Sequence, residues 1–379
     1  MEIPLKKFNK SILTWLLLLP IWLNAQPPAA SGLQYNSDGS VSFHYYNPKV
    51  KRVKILCDCE LKHVKELVKT ENLNSAQMQN DCNGWWHYTT PPLAPEFYTY
   101  QFRIKGRTLP DPTNPDSIRV NAGKRSVFVI NGTPQTELYV SDTLYGQVDT
   151  LEFPVEGLVR RVLVYTPPGY HKESLWPVLY LLHGLNGNEQ AWNNRAHAIY
   201  ILDKLICQKR AVPMVMVMPD ANPNRLVGQD EHVGLFKNLM LYPTWNKQEF
   251  EQCFPQLDSV LSILYNISSD PEQRAAAGLS AGAKQSANLA KTYHSFHWIG
   301  LFSPVVNKKQ IPDNSNTKIW IGAGQSDFFY PNATRFSKRL KKRNLPHTLY
   351  TSIGGHTWIN WRQYFTEYVQ MIFRQTSEQ

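Results

Sequence analysis

The pentapeptide Gly278-Leu279-Ser280-Ala281-Gly282 constrains this chain more than any other stretch. Small residues on both sides of a serine are needed where a strand turns sharply into a helix and thrusts that serine up in a strained conformation. The flanks agree: Ala275-Ala276-Ala277 leads in as an apolar run, and a helical stretch from Ala281 to Tyr293 leads out. Three consecutive alanines are nevertheless a weak strand by propensity. The wider texture supplies the context. From about Glu137, strand-like runs (Arg161–Tyr165, Val178–Leu182, Pro213–Met218, Trp298–Phe302, Lys318–Ile321, His347–Tyr350) alternate with helical ones (Lys247–Tyr265, Asn332–Arg343, Trp358–Phe373). Such alternation, with apolar strands, predicts a mostly parallel α/β sheet over residues 137–379.

Ahead of it the pattern differs. After a Pro/Ala/Ser/Gly stretch from Pro27 to Gly32, residues 33–132 carry short alternating runs broken by Asn, Asp, Gly and Pro. These are Val41–Tyr46, Val53–Leu56, Trp85–Tyr88, Phe97–Ile104 and Ser126–Ile130. Several strands and no helical stretch predict an all-β sandwich. Trp85 and Trp86 are neighbours on one run, so their side chains face opposite sides. One anchors the core, and the other is left for a ligand or the second domain. A chain of 379 residues accommodates two such domains, and an aromatic content of 12% excludes a disordered one.

Lys6, Lys7 and Lys10 form a positive head, an apolar run from Ile12 to Leu23 follows, and Asn24-Ala25 closes it. This predicts a signal peptide over residues 1–25, cleaved after Ala25, and hence a periplasmic or extracellular protein. The run is too short to span a bilayer comfortably, so no stable membrane anchor is expected. The formal charge of +10 loses three Lys and one Glu with that segment, leaving about +8. The one dense basic run, Lys338 to Arg343, has Phe336 and Leu340 four apart and reads as the solvated face of an amphipathic helix. With no nucleic-acid motif beside it, no nucleic-acid partner is expected. Five cysteines in an exported protein permit disulfides. A bridge from Cys82 to either Cys57 or Cys59 is plausible; Cys207 and Cys253 lie far along the chain, and the odd count leaves a free thiol. No CxxC pair or paired histidines suggest a metal site.

In a sheet of the predicted kind, the acid and base follow the serine in chain order, each on a loop after a strand. Asp327 sits on the loop that follows the strand beginning at Lys318, and His356 on the loop Gly354-Gly355-His356 after the next strand. Asp327 would hold the imidazole in the tautomer that takes the Ser280 proton. Asp220 also ends a strand but precedes the serine, which favours a loop cap. His347 opens a strand and reads as structural. Tyr180-Leu181-Leu182-His183-Gly184-Leu185-Asn186-Gly187 is a strand running into a His-Gly turn. There the backbone N–H of Leu185 would join that of Ala281 as an oxyanion hole, with His183 propping the loop. Trp192, Trp245, Trp358 and Trp361 are candidates to line a cleft.

These stretches carry a resemblance. Val164 to Tyr170, Leu181 to Gly184, Met218-Pro219-Asp220, Arg274 to Gly282, Gly324 to Asp327 and, most specifically, Gly354 to Arg362 resemble the esterase D-like family of α/β-hydrolase esterases. That family includes the feruloyl and acetyl-xylan esterases of carbohydrate esterase family one. Enterochelin esterase and S-formylglutathione hydrolase are its relatives. Gly84-Trp85-Trp86, Pro92 to Tyr100 and Asp111 to Pro115 resemble the immunoglobulin-like, glycogen-binding-type module that precedes such esterases. The departures are Ala281 and Ala283, where the family often has Met and a further Gly, and Asn224 to Trp245, where substrate specificity is usually built. The resemblance implies hydrolysis of a feruloyl or acetyl ester on a plant cell-wall polysaccharide such as xylan, without a cofactor. An esterase for a siderophore or another small ester is the second expectation, and a carbohydrate-binding protein on an inactive hydrolase scaffold the third. Neither domain lends a catalytic group to the other, so residues 140–379 alone are expected to keep the chemistry.

Overall fold

The computed structural model describes residues 32–374 apart from 60, 62–65, 69–72, 121–122, 140–142, 156–157, 186, 223–248 and 313–315. The expected signal peptide, Trp245 and the Asn224–Trp245 stretch lie outside the described residues.

The front part is a sandwich. One sheet runs in the order Leu33–Tyr35, Val41–Tyr46, Trp85–Thr89, Gln79–Asn80. The other runs Ser117–Val120, Gly123–Ile130, Glu96–Ile104, Lys54–Cys57, Leu73–Gln77, Glu66–Val68, with Arg107–Leu109 paired to the Glu96–Ile104 strand. Alternate residues of both sheets meet in one core that contains Val41, Phe43, Ile55, Trp86, Tyr100, Phe102 and Phe128. Trp86 is the core member of the tryptophan pair, and Trp85 lies half-buried beside Tyr46, its ring centroid 5.1 Å away. Cys57 is bonded to Cys59 and not to Cys82; two residues apart, their Cα atoms stand 5.1 Å from one another, within disulfide reach. Cys82 and Cys207 are exposed and Cys253 is buried, none of the three in a disulfide.

The second part is an eight-stranded sheet. Its strands are β1 (Gln147–Val155), β2 (Leu158–Thr166), β3 (Val178–Leu182), β4 (Val215–Pro219), β5 (Arg274–Leu279), β6 (Trp298–Phe302), β7 (Lys318–Gly324) and β8 (His347–Ser352). They lie in the order β1-β2-β4-β3-β5-β6-β7-β8. β1 and β2 are antiparallel to their neighbours, and every pairing from β4 to β8 is parallel. Parallel strands need crossover helices, which cover both faces. They are α1 (Ala191–Ala196), α2 (Ala198–Cys207), α3 (Glu249–Tyr265), α4 (Ala281–Tyr293), α5 (Tyr330–Lys342) and α6 (Trp358–Val369). Two apolar clusters result, one on each side of the sheet. α5 buries Ala333, Phe336 and Leu340 and leaves Lys338, Arg339, Lys341 and Lys342 exposed, the solvated basic face that its spacing predicts. No helix among the described residues is long and apolar enough to cross a membrane.

One side chain makes several polar ties between the two parts. Arg362 of α6 is fully buried and donates to Glu96 Oε1 (2.6 Å) and the Phe97 carbonyl (3.2 Å) on the sandwich strand, and to the Arg195 carbonyl (2.9 Å) in α1. Its guanidinium also lies 4.7 Å from the Phe97 ring and 5.0 Å from that of Tyr139. Burial raises the Glu96 carboxyl pKa, which the Arg362 charge opposes.

Candidate active site

The carboxyl ends of β5, β6, β7 and β8 form one edge, and the three predicted residues all stand on it. Ser280 follows β5 with φ 53° and ψ −111°, outside the ordinary wells of a residue with a side chain. Its N–H donates to the Phe302 carbonyl of β6 at 2.8 Å, which fixes the elbow. The flanking glycines are needed for space. A Cβ on Gly282 would lie 2.4 Å from the His183 carbonyl oxygen, and one on Gly278 would lie 2.8 Å from that of Leu182. The elbow therefore packs directly onto the end of β3.

Asp327 and His356 meet, Nδ1 lying 3.0 Å from Oδ2 and 3.2 Å from Oδ1. Burial alone would raise the Asp327 carboxyl pKa. Hydrogen bonds from His356, the Ser303 hydroxyl and the Phe329 N–H hold it below the usual range, so the carboxylate stays ionised. The imidazole is packed on several sides, with ring centroids at 4.4 Å to Phe328, 4.8 Å to Trp361 and 5.4 Å to Phe329. Trp361 donates its indole N–H to Ser303 Oγ (2.9 Å). Ser303, just after β6, thus links Trp361 to Asp327. It carries no motif, and its only sequence signal is a position at a strand end between β5 and β7.

The turn after β3 is tight, Gly187 N–H donating to the Gly184 carbonyl at 3.1 Å. His183 lies beneath it, 1% exposed. Its Nε2 accepts from the Ala221 N–H (3.0 Å), so the ring proton must be on Nδ1, which donates to the Gly184 carbonyl (2.7 Å). With both nitrogens engaged, His183 is a prop for the turn and has no free nitrogen to act as a base. Asp220 accepts from the backbone and side-chain amides of Asn222 (3.1 and 2.7 Å), the role of a loop cap. Leu185 is half-buried immediately after Gly184, and Ala281 opens α4, where the first N–H groups lack intrahelical acceptors.

Two of the predicted cleft tryptophans are corrected. Trp192 is 1% exposed and donates to the Leu182 carbonyl (2.9 Å), and Trp361 is 4% exposed and donates to Ser303. Both indoles are closed inside the core and present no face to a ligand. Trp358 is half-buried at the start of α6, with the Arg195 guanidinium 5.6 Å from its ring.

A sheet of this strand order, with a serine elbow after β5 and a carboxylate-paired histidine after β8, defines an α/β-hydrolase, and the comparisons make it a carboxylic-ester hydrolase. The chain belongs to the family described as "Putative esterase", whose model matches residues 157–372. Residues 31–121 match the model of carbohydrate-binding module 48, the isoamylase N-terminal domain. An endo-1,4-beta-xylanase/feruloyl esterase of Xylanibacter ruminicola is 26% identical over 311 residues, 78% of this chain. The chain spans 41% of that relative's length. Among solved structures, the enterobactin esterase of Shigella flexneri has a TM-score of 0.67 at 16% identity, covering 90% of this chain and 96% of that one. A CE1 ferulic acid esterase of Anaeromyces mucronatus has a TM-score of 0.54 at 19% identity, covering 62% and 95%.

Proposed function

We propose that this chain is an exported serine esterase that removes feruloyl or acetyl groups from a plant cell-wall polysaccharide such as xylan, with Ser280 as nucleophile, His356 as base and Asp327 as acid. The observation that carries the chemistry is the 3.0 Å contact between His356 Nδ1 and an ionised Asp327 on the edge where Ser280 is held in its elbow. With Nδ1 bonded to the carboxylate, Nε2 is the nitrogen left to take the Ser280 proton. Oγ attacks the ester carbonyl, and the oxyanion forms against the N–H groups of Leu185 and Ala281, each such donor being worth about 3–4 kcal/mol. His356 returns the proton to the departing alcohol, and water, activated by the same base, clears the acyl-enzyme. Trp358 is the remaining described candidate for a cleft wall. Export rests on the pattern of residues 1–25.

The substrate reading draws on the xylanase/feruloyl esterase relative, which matches across 78% of this chain. A second reading, a siderophore ester, draws on the enterobactin esterase fold, which is similar over 90% of the chain. A panel of feruloylated arabinoxylan fragments, acetylated xylo-oligosaccharides and a catecholate trilactone separates them. Highest kcat/KM on the trilactone would overturn the polysaccharide reading. Retention of p-nitrophenyl acetate turnover in Ser280→Ala would overturn the mechanism.

A further inference from the structure

We infer that Phe328 and Ile353 form a subsite for the alcohol half of the ester, on which the departing sugar ring stacks; this rests on the function proposed above. Phe328 follows Asp327 directly and is 66% exposed, and Ile353 precedes Gly354 and is 90% exposed. A lone exposed hydrophobe is ordinary on a protein surface. Phe328 is set apart by its place against the base, and Ile353 by the hydrogen bonds that tie its loop to the turn bearing Phe328. The Phe329 N–H donates to Asp327 Oδ1 (2.8 Å) and the Tyr330 N–H to the Asp327 carbonyl (2.9 Å), so the turn bearing Phe328 is tied to the acid itself. The Gln325 N–H donates to the Ser352 carbonyl and the Ser326 N–H to the Gly354 carbonyl, both at 2.9 Å, which stitches that turn to the loop on either side of Ile353. The Phe328 ring centroid stands 4.4 Å from the imidazole, inclined by 40°, and Phe329 backs it at 4.5 Å.

The order of the sheet decides which half of the ester this rim meets. The oxyanion turn follows β3 and the base follows β8, on opposite sides of Ser280 after β5. In acylation the Oγ–carbonyl bond forms and the carbonyl–alkoxy bond breaks. The Oγ proton passes to His356 and from there to the alkoxy oxygen, so the alcohol leaves within hydrogen-bond reach of the imidazole. The acyl group stays on Ser280 with its oxygen toward β3. Phe328, lying against the imidazole, therefore borders the alcohol, and Ile353 flanks it on the adjoining loop. An aromatic face next to a polar rim suits a sugar, whose ring carries C–H faces and hydroxyl edges.

The test uses two esters that give the same acyl-enzyme, methyl ferulate and a feruloylated arabino-oligosaccharide, with methyl acetate and acetylated xylo-oligosaccharide as a second matched pair. In Phe328→Ala the ratio of kcat/KM for sugar ester over methyl ester is expected to fall roughly ten-fold, the scale of one lost apolar contact. Phe328→Trp should restore it, and Ile353→Ala should lower it less. A fall of equal size on both members of a pair would overturn the subsite, because it would mean that Phe328 serves His356 or the acyl group. A wild-type enzyme that cleaves methyl esters but neither sugar ester would overturn the polysaccharide reading and the subsite with it. Good wild-type activity on a sugar ester with an unchanged ratio in Phe328→Ala would overturn the subsite alone.

Discussion

The positive φ of Ser280 and the hydrogen bonds around Asp327 predict how single changes behave. Ser280 contributes little packing at the edge of the sheet, so Ser280→Ala should lose roughly 10⁶-fold in kcat while its circular dichroism and melting temperature stay near wild type. Asp327→Asn should lose roughly 10⁴-fold through the wrong His356 tautomer. Equal damage from Asp220→Asn would mean the acid is misassigned, since the Asp220 carboxylate accepts from Asn222 and lies 3.5 Å from His183, away from His356. The lowered Asp327 pKa also has a stability signature. A carboxyl depressed in the folded state stabilises fully above its unfolded pKa of about 3.9, and that contribution is lost as pH falls through the lower folded value. The stability gap between wild type and Asp327→Asn should therefore close on acidification, measured as urea midpoints at pH 7 and pH 3. Ser280, Asp327 and His356 were legible because their loops follow predicted strands in one order. Trp192 and Trp361 were not, since a tryptophan beside catalytic residues reads the same whether it faces the cleft or the core.

Helix α6 shows what a linear pattern conveys about an element and what it omits. Its apolar spacing predicts a helix starting at Trp358, as observed, with Thr357 capping it through the Asn360 N–H. The pattern does not say that Trp361 stands perpendicular to the His356 ring and bonds Ser303. Trp361→Phe keeps the ring contact but leaves a buried hydroxyl without its donor, a cost of about 1–3 kcal/mol. We expect a lower melting temperature and a fall in kcat with little change in KM, measurable by thermal denaturation and steady-state kinetics. The alanine run of β5 contradicts its weak propensity for a physical reason. All three alanines are fully buried in the middle of the sheet, and a Cβ on Gly300 of β6 would come within 2.8 Å of Ala277, so side chains here have little room. Conversely, α1 and α2 escaped the sequence reading. They are short, α2 is rich in isoleucine, and they are separated only by His197 in the left-handed region.

The two-domain layout was visible in the change from short alternating runs to strand–helix alternation, but the join between the parts was not. Nothing in local periodicity links Glu96 to Arg362, which are 266 residues apart in the chain. Their contact revises the expectation that residues 140–379 suffice. That segment would keep Ser280, Asp327 and His356 but would strip Arg362 of Glu96, Phe97 and Tyr139 and open its guanidinium to water. Breaking a buried pair costs about 3–5 kcal/mol, so Glu96→Ala should lower the unfolding free energy by that order in the full chain, read by urea denaturation. The isolated segment should lose stability through the apolar surface that Phe97 covers, and with it activity even on p-nitrophenyl acetate, because Arg362 lies on the helix that follows His356. The same bond bears on descent. A recombination that brought a foreign front domain to this esterase would also have to bring an acidic residue in register with Glu96, or arrive with a compensating change at Arg362. Exchange of one half alone would therefore be selected against wherever it parts the two ends of the pair.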